Sequence, residues 1–81
     1  MTSINQTVTV NAFYFAAGRR MRTFPRSIEF GATNCTFKDG MQYLVRQGQH
    51  VVRLFDMSDG DLIYRLRNEN DTWTLVGTRP Q

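Results

Sequence analysis

The chain is poor in several residue types, and each shortage narrows the classes of protein it can belong to. It contains one cysteine, Cys35, in 81 residues, so no internal disulfide can form, whereas small secreted domains usually contain several. No apolar run approaches the roughly 20 residues that cross a bilayer. The first twenty residues lack the positive start and the unbroken apolar stretch of a signal peptide. We therefore expect a single cytoplasmic domain, residues 1–81, that does not contact a membrane.

Acidic residues are absent from the first third of the chain. Residues 1–28 carry four arginines and no acid, a charge of +4, while residues 29–81 carry six basic and seven acidic residues, a charge of −1. Lysine is represented by Lys38 alone. An excess of arginine suits the recognition of phosphate or carboxylate, and the base composition of the source would also produce it. The cationic stretch consists of Arg19, Arg20, Arg22 and Arg26.

Apolar residues are present in a pattern whose period is mostly two, which indicates strands. The Asp59-Gly60 turn predicts a hairpin, and the NEND segment predicts a second. These two turns were placed independently, yet both put the same residues on one face, and a slip of one residue would reverse every side chain. We therefore predict a three-stranded antiparallel meander at about residues 50–57, 61–68 and 72–77. Its predicted pairs are Met57 with Leu62, Phe55 with Tyr64, Arg53 with Leu66, Arg67 with Thr72, Leu66 with Trp73, and Tyr64 with Leu75.

The N-terminal half predicts three further strands. TVTVNAFYFA is apolar on both faces at its end, which is typical of a buried strand. MRTFPRSIEF contains Pro25, which cannot donate a hydrogen bond to a neighbour, so this strand lies at an edge or carries a bulge there. NCTF is a short strand after the GATN turn.

Residues 39–48 are ambiguous between helix and hairpin. Asp39 and Gln42 form a capping box, Gly48 is a suitable C-terminal stop, and a hairpin at Asp39-Gly40 would mix polar and apolar residues on each face. We therefore predict one short helix near 40–47. The predicted fold class is mostly β (α+β), a single small antiparallel sheet, curled or a partly open barrel. The predicted core is Phe13, Phe15, Ile28, Phe30, Phe37, Leu44, Val51, Phe55, Leu62, Tyr64, Leu66, Trp73 and Leu75.

No group of residues in the sequence makes a convincing catalytic set. His50 has no general-base partner within reach, and Cys35 has no second thiol or histidine for a metal site. The segment DMSDGD fails the calcium-loop pattern, because Gly60 falls one place early and Arg67 stands where a bidentate Glu is needed. We expect no enzyme activity, no metal and no cofactor.

Two surfaces remain as candidate binding sites. The outer face of the meander bears Val52, Leu54, Ile63 and Val76, more apolar residues than a sheet facing water usually has. Either the N-terminal half of the chain covers part of this face, or the face predicts a protein partner or a homodimer. The alternative is single-stranded nucleic acid, bound by a cationic surface with an aromatic ring for stacking. That surface would comprise Arg19, Arg20, Arg22 and Arg26, supported by Arg65 and Arg67. Otherwise the first four arginines belong to a solvated turn between two strands, with Arg26 paired to an acid.

Overall fold

The structure, a computed structural model, describes residues 1–16 and 22–81, and all the regular elements among them are strands. Seven strands form one antiparallel sheet in the order β3-β2-β1-β7-β6-β5-β4. This confirms the antiparallel sheet. The strands are β1 (Thr2–Ala16), β2 (Arg22–Phe30), β3 (Thr33–Thr36), β4 (Asp39–Gln47), β5 (His50–Ser58), β6 (Leu62–Glu69) and β7 (Thr72–Pro80).

The sheet is open and is not closed into a barrel, since β3 and β4 are its two edges. It is nevertheless strongly bent. The rings of Phe24 on β2 and Phe55 on β5 are 6.1 Å apart, although β1, β7 and β6 separate their strands in the sheet order. The long strand β1 makes this bend possible, because residues 2–8 pair with β7 and residues 9–16 pair with β2, with register shifts in both halves. Bulged strands that change partners form corners of this kind.

The predicted helix near 40–47 is wrong, and with it the α+β class. These residues form strand β4, which pairs with β5 from Asp39 opposite Ser58 to Gln47 opposite His50. The two strands are joined at Gly48, which has a φ of +62° and serves as a hairpin turn instead of a helix stop. Long-range pairing over nine residues thus outweighs a local capping signal.

The C-terminal meander is confirmed, but its pairing is shifted from the predicted register, by two residues in the first hairpin and, in the second, by two next to the turn and by three beyond Val76. Phe55 pairs with Leu66 instead of Tyr64, and Leu66 pairs with Leu75 instead of Trp73. The second hairpin is closed by Asn70 and Asp71, whose φ angles of 52° and 62° are those of a tight two-residue turn. A shift of two residues leaves each side chain on its predicted face, but beyond the irregularity at Val76 the shift is three, so Gly77 and Arg79 lie on the opposite face from the predicted one.

Pro25 lies where the sequence predicts an edge or a bulge. It pairs with Phe13 of β1 next to a register shift. On the other side of β2, the short strand β3 pairs only with Ser27 to Phe30. Pro25 thus lies in a part of β2 that has a described neighbouring strand on one side only, as is typical of proline in a sheet.

The core lies inside the bend and agrees only in part with the predicted core. Four predicted members, Phe13, Phe15, Leu44 and Val51, are exposed, Leu44 by 67% and Phe15 by 71%. They lie toward the ends of two hairpins, beyond the region that the bend encloses. The buried cluster is Val8, Ile28, Phe37, Phe55, Met57, Leu66 and Leu75, with Ile4, Val10, Phe24, Phe30, Cys35, Tyr64 and Trp73 packed against it.

Candidate functional site

Three of the four apolar residues predicted to contact a protein, Val52, Leu54 and Ile63, lie on the outer face of the meander. Val52 is buried, 3% exposed, and Leu54, Ile63 and Val76 are half-buried. Val76 is displaced from the regular pairing, because the register with β6 shifts at its position. A contact between these four residues and a partner stays a prediction, and their side chains offer little free surface for it.

Between these residues the outer face is organised by an ion cluster. Arg65 on β6 donates two hydrogen bonds to Asp56 on β5, from Nε to Oδ1 at 2.8 Å and from Nη2 to Oδ2 at 2.9 Å. Arg79 on β7 places its Nη2 3.6 Å from the same carboxylate. The hydrogen bonds from Arg65 lower the pKa of Asp56 against the opposing effect of burial and raise the pKa of Arg65. The cluster thus ties three neighbouring strands together with a bidentate charge pair.

The structure describes only some of the six arginines that were predicted to bind nucleic acid. Arg19 and Arg20 lie outside the described residues, and for Arg22 only the strand is described. Arg65 is engaged by Asp56, and Arg67 has its Nε 3.9 Å from Glu69. Arg26 is exposed and lies over the ring of Tyr14, with Cζ 5.4 Å from the ring centroid. Strands β1 and β7 separate the strand of Arg26 from that of Arg65 and Arg67.

The side chain of Asp59 in the DMSDGD segment stabilises its own turn. Asp59 Oδ1 accepts hydrogen bonds from the backbone N–H groups of Asp61 and Leu62, which lower the pKa of its carboxyl group. The hydroxyl of Tyr64 donates to Asp59 Oδ2 at 3.1 Å. Burial and the nearby Cys35 thiol raise the pKa of Tyr64. In the part of the chain that the structure describes, no group of three or more acidic, histidine or cysteine residues is placed to hold a metal ion.

An open groove lies between the hairpin formed by β1 and β2 and the turn that follows β6. It measures about 260 Å³ and is lined by three aromatic residues together with Thr23, Arg53, Asn68 and Asp71. Trp73 is the centre of the aromatic lining, with ring centroids 5.3 Å from Phe55 and 6.1 Å from Phe13. The groove combines an apolar wall with a few polar groups, as small binding clefts do.

The most exposed apolar part of the described sheet is its edge strand β4. Met41 is 60% exposed, Tyr43 41% and Leu44 67%. No described strand pairs with the outer edge of β4, while its inner edge pairs with β5 throughout. The strand contains neither proline nor lysine, and its only charged residues are Asp39 at one end and Arg46 near the other. Natural proteins commonly protect long edges with such residues or with bulges.

The backbone groups that face outward from β4 follow from its hairpin. A two-residue loop joins Gln47 to His50, so this closing pair is hydrogen-bonded, and the pairs alternate from there along the strand. The N–H of Gly40 fits this alternation, since it donates to Asp39 Oδ1 at 2.8 Å instead of to β5. The residues with outward N–H and C=O groups are Gly40, Gln42, Leu44 and Arg46.

The sequence of residues 39–47 also has the alternation of a strand, although the capping residues favoured a helix there. Met41, Tyr43 and Val45 alternate with Gln42, Leu44 and Arg46, which is the period of a strand. That alternation, together with Gly48 as a turn, would have predicted an apolar hairpin. It would not have shown that the strand lies at an edge, because strand order is a property of the whole sheet.

Comparison with known proteins adds no further constraint: the chain matches no protein-family model, no curated protein and no solved structure. Among the described residues, no helix is long and apolar enough to cross a membrane.

Proposed function

We propose that this chain is a small non-enzymatic domain that binds protein by adding a partner strand to β4. The observation that carries the proposal is a nine-residue edge that no described strand pairs with and that exposes three apolar side chains, Met41, Tyr43 and Leu44. In strand addition the free backbone groups provide affinity, and pockets or contacts for alternate side chains provide specificity.

The two faces of β4 would contribute differently to such a complex. Met41 and Tyr43 lie on the outer face, on the side of Leu54 and the Asp56 cluster, since Tyr43 pairs with Leu54 and Met41 with Asp56. A partner strand with apolar residues at alternate positions would extend this surface. Leu44 lies on the opposite side, across from Arg53, so the partner's other side chains would meet a more mixed surface.

The two acidic residues near the outer face are engaged in structural contacts, which favours a binding role for this domain over a catalytic one. Asp56 is held by Arg65 and Arg79, and Asp59 is held by its own turn. Residues committed to ion pairs and turns in this way stabilise the sheet. The exposed edge with apolar side chains, in contrast, is not committed to any such contact among the described residues.

The proposal is tested by selecting peptides from a displayed random library against the protein. Leu44→Pro removes an outward N–H without breaking a bond to β5, so the domain should fold, as circular dichroism will show. Leu44→Thr is the matched control, because it also removes the exposed leucine but keeps the N–H. We expect the selected peptides to bind the wild type and Leu44→Thr, and not to bind Leu44→Pro. Equal binding by a folded Leu44→Pro would refute the proposal.

Single-stranded nucleic acid is the second candidate, favoured by the stacking of Arg26 on Tyr14. Phe15 follows on the same strand, 71% exposed and on the opposite face, so a ring stacked with a cation and a second exposed ring lie beside the cationic stretch of the sequence. The test is binding of labelled DNA and RNA single strands at low and moderate salt. A variant with Arg19, Arg20, Arg22 and Arg26 all changed to Gln should lose the binding if it is due to phosphate contacts. Equal binding by both proteins would exclude this candidate.

A further inference from the structure

We infer that the strand received by β4 is the β4 strand of a second copy of this chain, paired antiparallel about a twofold axis through Tyr43. This inference rests on the proposed function, because it names the partner of the same edge. It follows from the register that self-pairing imposes and from the side chains that this register brings together.

Symmetry and hydrogen bonding limit the possible registers. In an antiparallel pair of identical strands, outward backbone groups must meet outward groups, and these belong to every second residue of β4. An odd shift would place them opposite residues that are already bonded to β5. The allowed twofold centres near the middle of the strand are therefore Gln42, Tyr43 and Leu44.

Of these registers, the one centred on Tyr43 uses the whole edge. It pairs Gly40 with Arg46 and Gln42 with Leu44 of the second copy, so all four outward residues face a partner, and the N–H of Gly40 exchanges its bond to Asp39 Oδ1 for one to the second copy. Centring on Gln42 leaves Arg46 unpaired, and centring on Leu44 leaves Gly40 unpaired. Tyr43 is also the middle residue of Asp39–Gln47.

The same register makes the outer face of the pair self-complementary. Met41 would lie opposite Val45 of the second copy, and Tyr43 opposite its own counterpart. Met41 and Tyr43 are exposed in the single chain and Val45 is half-buried, so the pairing covers apolar surface on both copies. Apolar and aromatic cross-strand pairs of this kind stabilise antiparallel sheets.

The charges at the two ends of the strand also favour the antiparallel arrangement. Asp39 lies at the start of β4 and Arg46 near its end. Antiparallel pairing brings the arginine of one copy to the end that holds the aspartate of the other, while a parallel pair would place like charges side by side. The opposing effect is the net charge of +3 on each copy, which salt screens.

Disulfide trapping tests the register directly. In a Cys35→Ser background, Tyr43→Cys places two thiols at the twofold axis in a pair without backbone hydrogen bonds, with Cα atoms about 4.5 Å apart, within disulfide range. Met41→Cys is the matched control on the same face. Its two copies would lie four residues apart along the strands, about 13 Å, beyond the reach of a disulfide. We expect mild oxidation to give a covalent dimer with Tyr43→Cys and none with Met41→Cys alone. When the two single variants Met41→Cys and Val45→Cys are mixed, we expect a covalent dimer that contains one chain of each.

Sedimentation velocity over a range of protein concentrations tests the dimer without cysteines. We expect Leu44→Pro to weaken the dimer about 30-fold, since symmetry removes the same donor twice, and Leu44→Thr to change it little. A wild type that stays monomeric at all concentrations, or a disulfide at Met41→Cys instead of Tyr43→Cys, would overturn the inference. A monomer whose selected peptides still fail to bind Leu44→Pro would overturn the second copy as partner while leaving the proposed function intact.

Discussion

The ion cluster on the outer face allows a stability prediction with a definite sign and size. Replacing Arg65 by Met removes the guanidinium that donates both short hydrogen bonds to Asp56, while a flexible apolar side chain still covers the sheet. The carboxylate that remains is 6% exposed as a side chain and keeps only Arg79, at 3.6 Å. The variant therefore leaves a buried charge with a weaker partner.

The magnitude follows from the burial of the two groups. Removing one member of a buried pair costs about 3–5 kcal/mol. Since the side chain of Arg65 is 33% exposed and Arg79 remains, solvent and the second arginine reduce this to about 2 kcal/mol. A domain of this size has a free energy of unfolding of about 4–8 kcal/mol, so the variant should lose a large part of it. Its melting temperature should fall by about 10 °C.

The assay is urea unfolding followed by the fluorescence of Trp73, the single tryptophan of the chain. Arg67→Met is the matched control, because Arg67 is on the same strand and face but is 48% exposed and 3.9 Å from Glu69. We expect the control to change the free energy of unfolding by less than about 0.5 kcal/mol.

The pH dependence provides a second test of the same reasoning. The pKa of Asp56 is lowered in the folded protein, chiefly by its hydrogen bonds to Arg65. Its contribution to stability is therefore present above the unfolded pKa, about 3.9, and is lost as the pH falls through the folded pKa. The difference between wild type and Arg65→Met should be full at neutral pH and shrink below about pH 4. A difference that does not depend on pH, or one equal to that of Arg67→Met, would refute the reasoning.

Two other substitutions test the packing and the turns. Gly40→Ala should destabilise the domain by about 1–3 kcal/mol, because the new Cβ would overlap the sulfur of buried Met57 and lie 3.0 Å from the carbonyl oxygen of Asp56; a urea midpoint equal to the wild type would contradict the tight packing. Asp71→Gly should stabilise the domain by about 0.5–1 kcal/mol, because Asp71 has a φ of +62°, where glycine is unstrained and the Asn-Gly pair suits a tight hairpin turn. A lower melting temperature in that variant would show that the aspartate side chain contributes more than the backbone.

The candidate site shows where sequence reasoning succeeds and where it stops. The exposed end of the β4–β5 hairpin was hidden because Asp39, Gln42 and Gly48 satisfy the local rules for a helix. Val52, Leu54 and Ile63 lie on the face that the sequence predicts, and the sequence also predicts that something covers part of this face. The ion pair is not predicted: the charge of Arg65, proposed to contact phosphate, is held by Asp56.

The sequence by itself determined which segments of the meander are strands, where its turns lie and, up to the bulge at Val76, which face each side chain takes. These properties depend on local geometry, because a strand alternates its side chains with period two and an even shift of register leaves them on the same side. Only the tertiary structure decided which apolar residues are covered, which charges are paired and which strand is left at the edge. Val8 is in the core while Leu44 is exposed, because burial depends on what packs opposite, and that is set by the bend at β1 and by the strand order of the whole sheet.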